Sequence, residues 1–258
     1  MDLDQYEKLD PQVALKTADG GRVVFKTPNR LSLARVQTLY SKEPHTIAWL
    51  NSLARDSVLL DVGANIGLYS LYAATARHCR VYAFEPESQN YALLNRNIQA
   101  NGLGERITAF PCALSDRVGL DRLYLSEFAL GASCHSFGAE VDFKLEARAA
   151  PFAQGCASWT LDAAVAAGVL PVPRYIKIDV DGFEHKVIAG ARDTLAGNGV
   201  QALIIEVNPH LAEHRAMVEE LARLGFRHDP EQAAAASRPD GVFAGVGEWL
   251  FRREIAHG

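Results

Sequence analysis

Short apolar runs and amphipathic stretches alternate along most of this chain. The run Val58-Leu59-Leu60 predicts a buried strand that ends at Asp61, and the apolar face that begins at Leu68 predicts a helix directly after it. The same order recurs downstream, with strands predicted at 80–84, 107–111, 175–180 and 202–207 and helices at 88–100, 160–167, 182–195 and 212–224. Strands separated by helices of this length form parallel β-α-β units with right-handed crossovers. The pattern therefore predicts an α/β fold with a doubly wound, mostly parallel sheet.

Residues 1–56 precede this alternation and are predicted to form an N-terminal extension. The extension contains a short strand at 22–26 and a helix that starts at Pro44, since proline is favoured in the first helical turn. This helix either covers a ligand as a lid or only caps the edge of the sheet. The sequence leaves these two roles open.

Residues 57–258 are predicted to form the main domain. The domain closes with a pair of strands at 226–228 and 249–252, separated by an alanine-rich loop at 232–238. Residues 126–157 interrupt the alternation and are predicted to be an irregular insertion. Such long loops inside a compact domain are usually either functional or poorly ordered.

A glycine-containing turn joins the first predicted strand to its helix. Its pattern is Asp61-x-Gly63-x-Asn65-x-Gly67, and glycine allows a ligand to approach the backbone closely. A dinucleotide-binding turn has the pattern Gly-x-Gly-x-x-Gly, but here Asn65 and Leu68 occupy the second and third glycine positions. The turn therefore favours a ligand with an adenosyl group and an amino acid but no phosphate. Asp61 would receive the cationic amino group of that ligand, directly or through water. The alternative is that the glycines serve only the tight turn between strand and helix.

The ends of the next two predicted strands supply further candidate ligand contacts. Glu85 follows the last glycine of the turn by 18 residues, a distance at which a carboxylate can accept hydrogen bonds from both hydroxyls of a ribose. Ala113, Leu114 and Ser115 follow the third strand, where an adenine ring would be enclosed. Ser115 is equally compatible with an ordinary turn.

Charge and composition argue against several other classes of partner and site. The chain has 26 Lys and Arg against 31 Asp and Glu, a net charge of −5, which argues against a nucleic acid as partner. The four cysteines form no Cys-x-x-Cys pair, so no zinc site is indicated. The N-terminal residues are acidic and unlike a signal peptide, and the apolar stretches are too short to span a bilayer. These features predict a cytoplasmic protein without a membrane span.

Five stretches, in this order, resemble one enzyme family. They are DVGANIGLYS, AFEPESQNYALLNRNIQANG, CALSD, YIKIDVDGFEHKVIAGA and LIIEVN. This ordered set resembles the FkbM family of S-adenosylmethionine-dependent methyltransferases over about residues 43–208. The resemblance implies a class I methyltransferase fold, whose seven-stranded sheet has an antiparallel final strand, with S-adenosylmethionine as cofactor. It also implies methylation of a hydroxyl on a natural product or sugar. The chain departs from the family at Asp181, where Glu is usual, and over 126–157, which follows no recognisable pattern.

Candidate proton acceptors lie at the ends of the fourth and fifth predicted strands and in the insertion. A hydroxyl is a weak nucleophile, so its methylation requires a base. Asp179 is the first candidate because it should lie beside the glycine turn, where it would contact cofactor or substrate or else brace the turn. Glu206, His185 and His135 follow in that order. An exposed position without a chemical role is the favoured interpretation of both histidines.

Two further interpretations concern neighbouring polar residues. Asp181 and Glu184 have the spacing of a capping box, and helix capping is the role predicted for both. Asp179, Glu206 and Asn208 offer three oxygen ligands for Mg²⁺, as in catechol-type methyltransferases. The family resemblance implies no metal, and no metal is predicted.

The sequence thus predicts an O-methyltransferase acting on a small molecule or saccharide. A nicotinamide-dependent oxidoreductase would share the strand, the turn and Glu85, but the two missing glycines count against it. A cofactor-binding homologue without catalytic activity is a second alternative. Acceptor specificity is expected to depend on residues 28–43 and 126–157, and the sequence indicates no oligomeric state.

Overall fold

Three β-sheets organise the protein, whose computed structural model describes residues 2–254. The elements before the first core strand are α1 (Leu3–Glu7), β1 (Gln12–Lys16), β2 (Arg22–Lys26), α2 (Arg30–Gln37), α3 (Leu39–Lys42) and α4 (Pro44–Ser52). The central elements are β3 (Val58–Val62), α5 (Leu68–Ala76), β4 (Arg80–Phe84), α6 (Ser88–Ala100), β5 (Ile107–Phe110), β6 (Ala113–Leu114), β7 (Gly119–Leu125), β8 (Ser136–Phe137) and β9 (Phe152–Trp159). The remaining elements are α7 (Leu161–Ala166), β10 (Tyr175–Ile178), α8 (Glu184–Ala189), α9 (Arg192–Ala196), β11 (Ala202–Val207), α10 (Ala212–Arg223), β12 (Phe226–His228), α11 (Pro230–Ala236) and β13 (Gly247–Arg253).

The largest sheet has seven strands in the order β12-β13-β11-β10-β3-β4-β5. The five strands from β11 to β5 are parallel, whereas β13 is antiparallel to both β11 and β12. This arrangement confirms the predicted doubly wound, seven-stranded fold with an antiparallel final strand. Because the crossovers place helices on both faces, the sheet separates two hydrophobic cores.

Strand β3 shows how the two faces divide. Leu59 packs into the core beneath α4 and α5, whereas Leu60 and Val62 pack into the core on the opposite face. Successive side chains of a strand point to opposite faces, so Asp61 points with Leu59 towards α5. This alternation decides which polar residues of the turn can reach a ligand.

The second sheet corrects the prediction of an irregular insertion over 126–157. The strand order in this sheet is β6-β9-β7-β8, and β7 pairs antiparallel with β9 along the whole length of β7. Gly155 lies opposite Arg122 inside this ladder, and Leu123, Leu125 and Cys156 form a small core beneath it. The prediction is therefore wrong over 152–157 and at β8, because a pairing partner distant in sequence decides the conformation.

Two other predictions of local structure are also wrong. The predicted loop at 232–238 is largely helix α11, because Asp229 caps its start and proline occupies its first turn. The alanines that follow have the highest helix propensity of all residues. The predicted helix over 182–195 is divided into α8 and α9 at Gly190, where a Cβ atom would lie 2.1 Å from the carbonyl oxygen of Ser115.

Among residues 2–254, no helix combines the length and the hydropathy of a membrane span.

Candidate active site

A cavity of about 490 Å³ opens at the carboxyl ends of β3, β4, β10 and β11. This edge is where open α/β sheets bind their ligands, and the volume is that of a small-molecule site. Residues of α2 and of the segment 126–137 form other parts of the wall. Four residues from the 28–43 region line the cavity: Leu31, Ala34, Arg35 and Lys42.

The glycine turn forms part of the cavity wall. Gly63 has φ +78°, and a Cβ atom there would lie 1.9 Å from the carbonyl oxygen of Asp179, so only glycine fits. Asn65 also has a positive φ and lines the cavity. Gly67 does not line it; a Cβ at that position would instead collide with Leu94 of α6. Gly67 therefore serves helix packing, and the cofactor contact predicted there stays a prediction.

Glu85 lies in the cavity wall and supports the turn. Its Oε2 accepts a hydrogen bond from the backbone N–H of Asn65 at 2.7 Å, and its Oε1 accepts one from Glu87 at 2.8 Å. Burial raises the pKa of this carboxyl to about 7. Each carboxylate oxygen can accept a second hydrogen bond, so the residue can still bind ribose hydroxyls.

Asp61 is not available to a ligand in the cavity. Its side chain is fully buried on the α5 face, where Ser70 donates a hydrogen bond of 2.6 Å to Oδ2. Lys177 lies 3.6 Å from Oδ1 and also 3.3 Å from Oδ2 of Asp179, which does line the cavity. The lysine therefore lies between Asp61 and the cavity, and the predicted direct contact of Asp61 with an amino group is wrong.

The predicted adenine position is part of the cavity. Ala113, Leu114 and Ser115 all line it, next to Phe84 at the end of β4. The Phe84 ring stacks on Phe110 with 4.9 Å between centroids, which fixes one side of this apolar region. An adenine ring fits such surroundings because it offers two apolar faces.

Three carboxylates approach one another at the sheet end of the cavity. Oxygen atoms of Asp179, Asp181 and Glu206 lie within 4.8 Å of one another. Asp179 is paired with Lys177, and Glu206 accepts two hydrogen bonds of 3.0 Å from Arg238. Asp181 has no cationic side chain within 4.0 Å in the part of the chain that the structure describes. It is the uncompensated member of the cluster.

The pKa values follow from these partners. Burial opposes the ionisation of Asp179, but the charges of Lys177 and Lys42 and the hydrogen bond from Lys177 together outweigh burial and lower the pKa. Burial, and then the charges of Asp179 and Glu184, raise the pKa of Asp181 to about 7. Burial and the same neighbouring charges also raise the pKa of Glu206 well above its ordinary value. The raised pKa allows Asp181 to exchange a proton near neutral pH.

The capping role predicted for Asp181 is wrong. Its backbone φ is +57°, and its Oδ2 accepts a hydrogen bond of 2.7 Å from the backbone N–H of Cys134 instead of capping α8. The capping role predicted for Glu184 is also wrong, because Glu184 is the first residue of α8 and accepts hydrogen bonds from the backbone N–H groups of Val180 and Gly182 in the loop before the helix.

Asn208, the third oxygen ligand of the Mg²⁺ interpretation, does not line the cavity. Its Oδ1 accepts a hydrogen bond from the backbone N–H of His210 at 3.1 Å. The group that one divalent cation could contact is therefore Asp179, Asp181 and Glu206.

The two histidines differ in position. His135 lines the cavity, and its Nδ1 accepts a hydrogen bond of 3.2 Å from the Ser126 N–H, which places the ring proton on Nε2. Burial, and then Arg148, lower its pKa to about 4, so this ring is a hydrogen-bond donor and not a base. His185 lies outside the cavity wall and packs near Phe183 and His214, a position that does not support a base role.

An asparagine that the sequence interpretation missed fixes the segment before β8. Asn90 of α6 is fully buried; its Oδ1 accepts from the Gly131 N–H at 2.7 Å and its Nδ2 donates to the Ala132 carbonyl at 3.1 Å. Asn65 donates to the same carbonyl at 2.8 Å. These hydrogen bonds connect the insertion to the glycine turn, a relationship that no local sequence pattern indicates.

We expect Asn90→Ala to lower the free energy of unfolding by about 2–3 kcal/mol, because it leaves the buried Gly131 N–H without a partner. Urea denaturation followed by circular dichroism measures the change. Asn95→Ala on the exposed side of α6 is the matched control and should change it by less than about 0.5 kcal/mol. Equal losses in the two variants would show that the buried hydrogen bonds of Asn90 contribute no more to stability than the exposed hydrogen bond of Asn95.

Known proteins show similarity to most of this chain. The family model described as "Methyltransferase FkbM domain" matches residues 61–228. The AMB antimetabolite synthetase AmbE of Pseudomonas aeruginosa is 31% identical in an alignment of length 188 that covers 60% of this chain and 8% of that protein. The hexuronic acid methyltransferase AglP of Haloferax volcanii is 25% identical over 174 residues, 67% of this chain and 65% of that protein. The chain thus spans less than two thirds of the length of either relative.

Among solved structures, the methyltransferase FkbM from Methylobacillus flagellatus KT matches with a TM-score of 0.46 and 18% identity. The match covers 78% of this chain and 44% of that one. The magnesium protoporphyrin IX methyltransferase of Synechocystis, solved with bound S-adenosylmethionine, matches with a TM-score of 0.49 and 13% identity over 88% of this chain and 86% of that one.

The residues of the cavity suit S-adenosylmethionine. Glu85 can accept hydrogen bonds from a ribose, and the region around Leu114 can enclose an adenine. Asp179, rather than Asp61, is the carboxylate that can meet an amino group. From the match over residues 61–228 and this cavity, the chain belongs to the FkbM family of S-adenosylmethionine-dependent methyltransferases.

Proposed function

We propose that this protein methylates a hydroxyl oxygen of a small molecule or saccharide and that Asp181 is the base. The observation that carries the proposal is the position of Asp181 in the cavity wall without a cationic partner among residues 2–254. Its pKa of about 7 makes it able to accept a proton at neutral pH. A hydroxyl acceptor needs such a group, whereas an acceptor that is already anionic does not.

Bound S-adenosylmethionine supplies an electrophilic methyl group on a sulfonium. The chain's own residues then have to orient the acceptor and take its proton. Lys177 and Arg238 hold the side chains of Asp179 and Glu206 in place. His135 can donate from Nε2, a buried atom with no hydrogen-bond partner among residues 2–254, to an oxygen in the cavity.

The name of one relative supports a saccharide as acceptor, since AglP is a hexuronic acid methyltransferase. The lining of the cavity combines apolar and polar residues, which suits a polyhydroxylated ligand with one apolar face. Membership in a methyltransferase family counts against the nicotinamide-dependent alternative.

The proposal is tested by incubating the purified protein with methyl-labelled S-adenosylmethionine and a panel of hexuronic acids, neutral glycosides and hydroxylated natural products. We expect label in at least one hydroxylated acceptor, with the carbon chemical shift of a methyl ether. Label found only on nitrogen, sulfur or a carboxyl group would contradict methylation of a hydroxyl. Binding of S-adenosylmethionine without turnover of any acceptor would favour a non-catalytic homologue.

A further inference from the structure

A narrow extension of the cavity runs beneath the N-terminal helices. It has a volume of about 40 Å³ and shares Arg35, Lys42, Asn65 and Asp179 with the main cavity. Residues of α2 and α3 form one wall, and the glycine turn and the end of β10 form the other. The N-terminal extension of the chain therefore encloses one end of the ligand site.

Charged groups of both signs line this end of the cavity. Lys177 is paired with Asp61 and Asp179, and Lys42 lies 3.1 Å from Oε1 of the buried Glu43. Arg35 differs from these lysines, because no carboxylate of residues 2–254 lies within 4.0 Å of its guanidinium.

The orientation of Arg35 leaves its terminal nitrogens available. Nε donates a hydrogen bond of 2.5 Å to the carbonyl oxygen of Gly131, which fixes the side chain against the insertion. Nη1 and Nη2 make no hydrogen bond within the described part of the chain, although the residue lines both parts of the cavity. A guanidinium held in this way has two parallel N–H groups for a carboxylate.

A carboxylate of the protein lies in the same narrow space. Asp179 engages Lys177 through Oδ2, whereas its Oδ1 makes no hydrogen bond in residues 2–254. A cationic group and an anionic group in one small enclosure match the two charges of an amino acid. S-adenosylmethionine ends in an amino acid, and Asp61, the residue first expected to bind its amino group, is sealed behind Lys177.

We propose that Arg35 binds the carboxylate of the methionyl end of S-adenosylmethionine, with Asp179 beside its amino group. The N-terminal extension, 1–56, is then part of the cofactor site and not only a cover. The inference rests on the identity of the cofactor and is independent of the acceptor that is methylated. The same guanidinium could instead receive a carboxylate of an acidic acceptor, and the experiment separates these two sources.

Isothermal titration calorimetry without any acceptor tests the proposal. The ligands are S-adenosylmethionine, its decarboxylated form, which keeps the sulfonium and the amine, and 5′-methylthioadenosine, which lacks the whole amino-acid end. The main variant is Arg35→Gln, which removes the charge but can still donate to the Gly131 carbonyl. We expect it to weaken binding of S-adenosylmethionine by roughly ten- to a hundredfold, the range for a hydrogen bond to a charged group. Affinity for the other two ligands should change less than about threefold.

Arg30→Gln is the matched control, because Arg30 is exposed on the same helix and does not line the cavity. It removes the same charge and should leave all three affinities unchanged within about twofold. Thermal unfolding of both variants without ligand verifies that the fold is intact. If Arg35→Gln lowers stability, the titrations are repeated with Arg35→Lys. A larger loss of affinity for S-adenosylmethionine than for its decarboxylated form in that variant supports the proposal.

Equal loss of affinity for S-adenosylmethionine and its decarboxylated form would overturn the carboxylate assignment, as would no loss for either. If Arg35→Gln bound all three ligands normally but lost affinity for a hexuronic acid, the carboxylate at Arg35 would belong to the acceptor. That result would also overturn the assignment of the cofactor's carboxylate. None of these results depends on methyl transfer, so failure of the proposed O-methylation remains a separate outcome.

Discussion

Asp181→Asn is expected to lower kcat for a hydroxyl acceptor by about two to four orders of magnitude, the usual contribution of a positioned general base. The amide is nearly isosteric and can still accept the hydrogen bond from the backbone N–H of Cys134, so the loop geometry should be kept. What it cannot do is take a proton. Steady-state kinetics at saturating S-adenosylmethionine measures the loss, and His185→Ala, outside the cavity wall, should retain activity within about twofold.

The pH dependence gives this prediction a second readout. The base must be deprotonated, and burial raises the pKa of Asp181 to about 7, so activity should fall as the pH falls through about 7 and level off above it. Saturating cofactor is needed because the pKa of Glu85 is also about 7 and would otherwise enter through cofactor binding.

In a plot of kcat/KM for the acceptor against pH, Asp181→Asn should abolish the fall in activity at low pH, which is called the acidic limb below. Asp179→Asn should keep the fall in activity at low pH, because the charges of Lys177 and Lys42 together hold the pKa of Asp179 low despite its burial. Loss of the limb in the Asp179 variant, with the limb intact in the Asp181 variant, would transfer the base role to Asp179.

Local pattern was enough to locate the main sheet and much of the cavity. Buried runs such as the one at 202–207 coincide with strands because parallel strands are covered on both faces and read as continuous apolar segments. Gly63, Glu85 and Leu114 line the cavity because strand ends in this fold meet at one edge, which a sequence argument can use without coordinates.

The errors arise where a residue's role depends on its orientation or on a distant partner. Asp61 is adjacent to the turn in sequence, but strand alternation directs it to the α5 face, whereas Asp179 lies beyond the end of β10 and lines the cavity. Arg238 follows an alanine-rich segment with no motif. The bridge between Ser237 and Gly247, together with the pairing of β11 with β13, brings it to Glu206. Such contacts join segments that no periodic pattern relates.

Gly63→Ala is expected to lower the free energy of unfolding by more than about 3 kcal/mol and to weaken S-adenosylhomocysteine binding at least about tenfold. A Cβ atom at this position would lie 1.9 Å from the carbonyl oxygen of Asp179, so β3 and β10 would have to separate at the edge that binds the ligand. Neither atom belongs to a flexible side chain, and a rotamer change cannot relieve the overlap. Urea denaturation without ligand and calorimetry with S-adenosylhomocysteine measure the two effects.

Gly102→Ala separates this overlap from the cost of the backbone conformation. Gly102 also has a positive φ, +64°, but nothing lies within 4 Å of the Cβ atom that alanine would add. It should lose only the strain of a left-handed alanine, about 1 kcal/mol, and bind S-adenosylhomocysteine normally. If both variants lost the same stability and both kept their affinity, the close approach of Gly63 to Asp179 would not be what shapes this edge of the sheet. A loss of affinity confined to Gly63→Ala would instead show that the first glycine of the turn acts by letting the β10 strand end, with Asp179, come against the cofactor site.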